Sequence, residues 1–65
     1  MSEVEALKAE IKKLSAQALK AKMDLHDLSE ELPLGWQTIG TVAAEAEAAY
    51  RKLEEARERL KKTEA

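Results

Sequence analysis

Apolar or small side chains recur at alternating steps of three and four residues through Val4, Leu7, Ile11, Leu14, Ala18, Ala21, Leu25, Leu28 and Leu32. The pattern breaks at Pro33-Leu34-Gly35, then resumes through Ile39, Val42, Ala46, Ala49, Leu53, Ala56, Leu60 and Thr63. Each run is an a/d heptad seam along one side of a helix. Pro33 ends the first helix because the residue before a proline is pushed out of the helical region, and Gly35 accepts backbone angles that other residues avoid. Ser2 followed by Glu5 fits a capping box and starts helix one. Thr38 or Thr41 is the expected N-cap of helix two. Trp36 to Gly40 reads either as an opening turn continuous with that helix or as a separate short turn. The expected organisation is all-α: one hairpin over residues 1–65, with helix one at about 3–32, a turn at 33–35 and helix two at about 36–63.

The two seams can be tested against each other, because an antiparallel hairpin pairs residues whose numbers add to a constant. Val4 with Thr63, Leu7 with Leu60, Ile11 with Ala56, Leu14 with Leu53, Ala18 with Ala49, Ala21 with Ala46, Leu25 with Val42 and Leu28 with Ile39 all sum to 67. Every layer sets an a position against a d position, and the fold-back point falls at residues 33 to 34, where the proline stands. Heptads and turn chemistry, read independently, agree on one topology.

A chain of 65 residues leaves much of its surface wet even when folded, so it needs a further source of stability. Cysteine is absent and there is a single histidine, which removes disulfides and any zinc site built within one chain. Association with another copy remains. Two helices alone leave half of each apolar stripe facing water, so the hairpin is expected to dimerise into a four-helix bundle. Its core would be Leu7, Ile11, Leu14, Ala18, Ala21, Leu25, Leu28, Ile39, Val42, Ala46, Ala49, Leu53 and Leu60. Residues 24 to 47 carry six acids and no Lys or Arg, whereas the remainder carries eleven basic and seven acidic residues. Turns at opposite ends of a dimer therefore set unlike charges side by side. The central layers Ala18/Ala49 and Ala21/Ala46 are small enough to receive larger side chains from a partner.

Composition excludes several function classes. No stretch approaches a membrane span, and the first residues lack a basic region followed by an apolar run, so a soluble cytoplasmic protein is expected. A net charge of −2 and a pI near 5.4 oppose bulk attraction to nucleic acid or anionic lipid. Two helices provide no concave site in which to desolvate a carboxylate or the histidine, so neither catalysis nor a cofactor is expected.

The candidate sites are surfaces. Met23-Asp24-Leu25-His26-Asp27-Leu28-Ser29-Glu30-Glu31 places acids near a helix C-terminus, where the helix dipole disfavours them. His26 and Glu30 stand four apart on one face, a spacing that could contribute to a metal site shared between copies. Trp36, Ala43, Tyr50 and Arg57 recur every seven residues beside the second seam. The two aromatics either anchor a partner or cover the bundle core, and Leu19 and Met23, off the first seam, pose the same choice. The candidates for partner contact are Met23, Asp24, His26, Asp27, Leu34, Trp36 and Tyr50.

The run Met23 to Leu28, continued by Glu30, Leu32-Pro33, Gly35-Trp36, Ile39 and Val42-Ala43, resembles the Rop-like family of small bacterial proteins found in nitrogen-fixation operons. The resemblance spans about residues 5 to 60, with its weight on 23 to 43; family members often carry proline where this chain has Gly40. It implies a hairpin forming a rod-like dimer similar to the plasmid repressor-of-primer protein, and a role in nitrogenase assembly or function through a nitrogenase-related partner. It implies no catalytic residues. The turn motif Leu32-Pro33 and Gly35-Trp36 and the Met23 to Leu28 segment carry over as candidate interaction surface. Two other readings are an RNA-binding regulatory bundle, by analogy with the repressor-of-primer protein, and a metal carrier using His26. Association of dimers into a tetramer through Trp36 and Tyr50 is a further option.

Overall fold

A computed structural model describes residues 2–64; Met1 and Ala65, part of the span expected to form one hairpin, lie outside the described residues. Helix α1 covers Glu3–Glu31 and helix α2 covers Ile39–Glu64, with a 3-10 turn at Trp36–Thr38 running directly into α2. The helices fold back on each other into a rod of 47 × 15 × 13 Å.

Helix α1 begins where its backbone donors find acceptors. Ser2 is extended, its Oγ accepts the Glu5 N–H at 3.1 Å, and its carbonyl accepts the Ala6 N–H at 3.0 Å. Glu3 and Glu5 in the first turn suit the positive end of the dipole. At the other end Leu32 swings out to ψ 141, as a residue before proline does, while its N–H still donates to the Leu28 carbonyl. The chain then reverses through a relay of short bonds. Leu34 N–H donates to Glu31, Trp36 N–H to Pro33 and Thr38 N–H to Gly35. The Leu32–Pro33 peptide is cis and Gly35 has φ 77.

The expected threonine cap of helix two is not there. The Thr38 hydroxyl donates to the Gly35 carbonyl at 2.8 Å and accepts from no helix N–H among the described residues, and Thr41 lies inside α2. The 3-10 turn caps the helix instead, because its own carbonyls receive the first amides, Ile39 N–H donating to Trp36. Trp36 to Thr38 is thus an opening turn joined to the helix.

The two glycines should respond to alanine with opposite signs. At Gly35 a Cβ would sit 3.3 Å from Leu28 Cδ1 on a left-handed backbone, so Gly35→Ala is expected to cost about 1–2 kcal/mol. Gly40 lies in α2 with nothing within 4 Å of an added Cβ, so Gly40→Ala is expected to gain about 0.5–1 kcal/mol. Urea denaturation followed by circular dichroism reads both; midpoints moving the same way would contradict this account.

Burial follows the heptads. Leu7, Ala18, Leu28, Ala46, Leu53 and Ala56 are buried, and Val4, Ile11, Leu14, Ala21, Val42, Ala49 and Leu60 are half-buried. All lie on the seams; among the described residues only Ser15 is half-buried elsewhere. The pairing register has its own check in an ion pair across the helices, Arg59 Nη2 to Glu10 Oε1 at 3.1 Å. Each partner immediately precedes a seam residue, so both fall between the layers Leu7/Leu60 and Ile11/Ala56, and a slipped register would part them. Two expected core residues stay open in the single hairpin: Leu25 is 37 % exposed and Ile39 42 %.

Candidate interaction surfaces

The seams define two flanks of the hairpin. In antiparallel heptads the e positions of the two helices lie on one side and the g positions on the other. The g flank carries Glu10, Gln17, Asp24 and Glu31 from α1 with Glu45, Lys52 and Arg59 from α2, and it contains the Glu10–Arg59 bridge. The e flank carries Lys8, Ser15, Lys22 and Ser29 with Trp36, Ala43, Tyr50, Arg57 and Glu64. Ser15, the one half-buried residue off the seams among the described residues, and Tyr50 occupy opposed e positions.

Apart from Met23, the exposed large apolar side chains among the described residues lie along the e side and at the turn. Leu19, Leu25, Leu32, Trp36, Ile39 and Tyr50 lie on or next to that flank, Met23 stands on the outer face of α1, and Leu34 caps the turn. No g position, nor the c position beyond it, holds a large apolar residue. The two flanks of the rod therefore differ: one carries the exposed aromatic side chains among its charges, the other charged and polar side chains alone.

The turn end gathers the expected partner-contact residues. Leu34 is 75 % exposed and Trp36 59 %, close in sequence to Asp27, Glu30 and Glu31. The last turn of α1 holds no basic residue to offset the dipole. Asp24 pairs back to Lys20 Nζ at 3.2 Å, which leaves Asp27, Glu30 and Glu31 as the acids nearest the tip. His26 Nδ1 lies 3.1 Å from Glu30 Oε1 and 3.7 Å from Asp27 Oδ1, and the Ser29 hydroxyl donates to the His26 carbonyl at 2.7 Å. Tyr50 stands apart from this group, at mid-length of the rod.

Among the described residues, no three His, Asp or Glu side chains converge as a metal site within one chain, no pocket is enclosed, and no helix is long and apolar enough to cross a membrane. Whatever this molecule does, the described residues offer outer surface on which to do it.

The family model described as Rop-like matches residues 2–65. The chain belongs to the Rop-like family. A UPF0437 protein of Azorhizobium caulinodans is 58 % identical to this Rop-like chain over 65 residues, covering all of it and 94 % of the relative. A UPF0437 protein of Frankia alni, described as lying in the nifX-nifW intergenic region, is 40 % identical over 48 residues, covering 74 % of this chain and 58 % of the relative. A structure determined by NMR in a structural genomics programme superposes with a TM-score of 0.89 at 54 % identity, covering 98 % of this chain and 92 % of that one. The Rop-like hairpin is thus shared with a solved relative.

Sequence reasoning missed the Glu10–Arg59 bridge and the division of this Rop-like rod into unlike flanks. Both were accessible once the sum of 67 was known, because the register assigns every residue to a side.

Proposed function

We propose that this chain is a non-enzymatic interaction factor of nitrogen fixation, acting in the cytoplasm as a dimer of hairpins that presents its acidic turn end to a nitrogenase-related protein. The observation that carries the reading is the tip itself. Two large apolar side chains, Leu34 and Trp36, stand largely exposed within a stretch from residue 24 to 47 that has no Lys or Arg. An apolar anchor ringed by one sign of charge is the form of a protein contact site. Glu30 and Glu31 at the unfavourable end of the α1 dipole cost about 0.3–1 kcal/mol each at low salt, and a cationic partner surface would offset that cost. The link to nitrogen fixation rests on the Frankia alni relative placed between nifX and nifW.

Basic residues offer less to an RNA partner. Arg51 and Arg59 are engaged by Glu47 and Glu10 at 3.0 and 3.1 Å, and no stripe of Lys and Arg runs free of acids.

Affinity capture from nitrogen-fixing cells, with wild type, Trp36→Ala and Leu34→Ser as bait, tests the proposal. The expected result is a specific protein retained by wild type, reduced about tenfold or more by either variant and lost as salt is raised. Equal recovery by all three baits would remove the tip from the contact surface.

A further inference from the structure

The outer face of α1 belongs neither to the hairpin contact nor to the tip. Ala9, Ala16 and Met23 stand at f positions, on the side of the helix opposite its seam, and Leu19 stands at the b position beside them. All four are exposed, Leu19 at 55 % and Met23 at 56 %. A helix packed along one stripe ordinarily turns charged and polar residues outward, so two large apolar side chains here serve nothing within the chain. The f positions of α2 hold Gln37, Ala44, Arg51 and Glu58, so the feature is confined to α1.

The charge around this ridge has one sign. From residue 11 to 23 the helix carries Lys12, Lys13, Lys20 and Lys22 and no Asp or Glu. Lys12 lies at b and Lys13 and Lys20 at c, on the two sides of the f column, and Lys22 lies at e, beyond Leu19. Among the described residues, Lys12, Lys13 and Lys22 enter no ion pair, whereas Lys20 is held by Asp24 at 3.2 Å. Glu10, the nearest acid toward the open end, is taken by Arg59 at 3.1 Å. Unlike charge appears only at the ends of the ridge, with Glu5 on one side and Asp27 and Glu30, beside His26, on the other.

Those ends decide the occupant. The ridge from Ala9 to Met23 is about 21 Å long, roughly four turns of helix. A nucleic acid or an anionic bilayer extends past both ends and meets Glu5, Asp27 and Glu30 as well as the lysines. The ridge also lacks the broad apolar face and the aromatic side chain that seat a helix in a lipid interface. A single helix about 10–12 Å across fits between the ends. Alanine at 9 and 16 allows it close approach, Leu19 and the adaptable Met23 meet its apolar stripe, and acids bordering that stripe meet Lys12, Lys13 and Lys22.

We propose that the outer face of α1 over Ala9, Ala16, Leu19 and Met23 is a docking site for an acidic amphipathic helix of another protein, bordered by Lys12, Lys13 and Lys22. The chain then presents two surfaces of opposite charge, an acidic tip and a basic ridge, on adjoining parts of one rod.

The probe is a labelled peptide of about 18 residues built from Leu, Ala and Glu, with leucines at steps of three and four, titrated with the full chain by fluorescence anisotropy. A peptide of the same composition with its leucines shuffled is the control. Wild type is expected to bind the patterned peptide at least about tenfold more tightly than the shuffled one. Met23→Gln and the double variant Lys12→Gln/Lys13→Gln, which keep helix propensity, should each weaken that binding about tenfold or more. Trp36→Ala at the tip and Arg51→Gln on the outer face of α2 should leave it unchanged. Equal binding of the two peptides, no binding by wild type, or wild-type affinity in both ridge variants would overturn the proposal. Loss in Trp36→Ala alone would move the contact to the tip. Phosphatidylglycerol vesicles bound by wild type and released by Met23→Gln would give the ridge to lipid, and a changed sedimentation of Met23→Gln by itself would give it to a second copy; either result overturns the proposal, whatever the capture experiment shows of the tip.

Discussion

Replacing Leu53 by alanine is expected to cost the hairpin about 2–5 kcal/mol, the largest loss from any single truncation in the chain. Leu53 is buried, and its layer partner is Leu14. Its neighbouring layers, Ile11/Ala56 and Ala18/Ala49, already contain alanine, so little bulk is at hand to collapse into the space left. A domain of this length holds a total stability of roughly 3–10 kcal/mol. The variant should therefore lose much of its helical signal under conditions where the wild type keeps it, because long single helices without a packed face are only marginally stable in water. Urea titration by circular dichroism is the measurement, and a loss below about 1 kcal/mol would mean that Leu53 does not sit between the helices.

The second large effect runs the other way in volume. Ala56 is fully buried and Ala18 is 1 % exposed, so each marks a place where the helices approach too closely for a longer side chain. Ala56→Leu should cost about 1–3 kcal/mol by forcing the helices apart. The same change at Ala48, exposed on the outer surface of α2, should stay within about 0.5 kcal/mol of wild type. Both variants add identical atoms to the same helix, so a difference between them isolates packing from helix propensity. Equal stabilities would show that the close approach at Ala56 is not a constraint.

The parts of the fold that could be read beforehand are those governed by repetition. Seventeen seam positions and one proline over-determine the hairpin, and the Glu10–Arg59 ion pair between the helices agrees with a register deduced from spacing alone. What could not be read depends on one atom's choice of partner. Thr38 was a sound cap candidate by residue type, yet its hydroxyl turned toward the Gly35 carbonyl because a 3-10 turn had already supplied acceptors to the first amides. The acidic stretch and the two aromatics were visible as candidates from composition. Their division into a tip and a separate mid-length patch followed only when register placed Tyr50 opposite Ser15 and well away from Leu34.

No polar side chain is buried among the described residues. An interior of hydrocarbon alone rewards contact without regard to heading, since dispersion and water exclusion are blind to which end of a helix is which. Buried amides in other bundles act as keys that reject wrong pairings at some loss of strength. In the dimer proposed above that discrimination would fall to the outer charges, which strong electrolyte silences beyond about 3 Å at 1 M. Orientation between copies in that proposed dimer would then be a property of the surrounding solution as much as of the chain, and concentrated salt should blur it well before it loosens the helices.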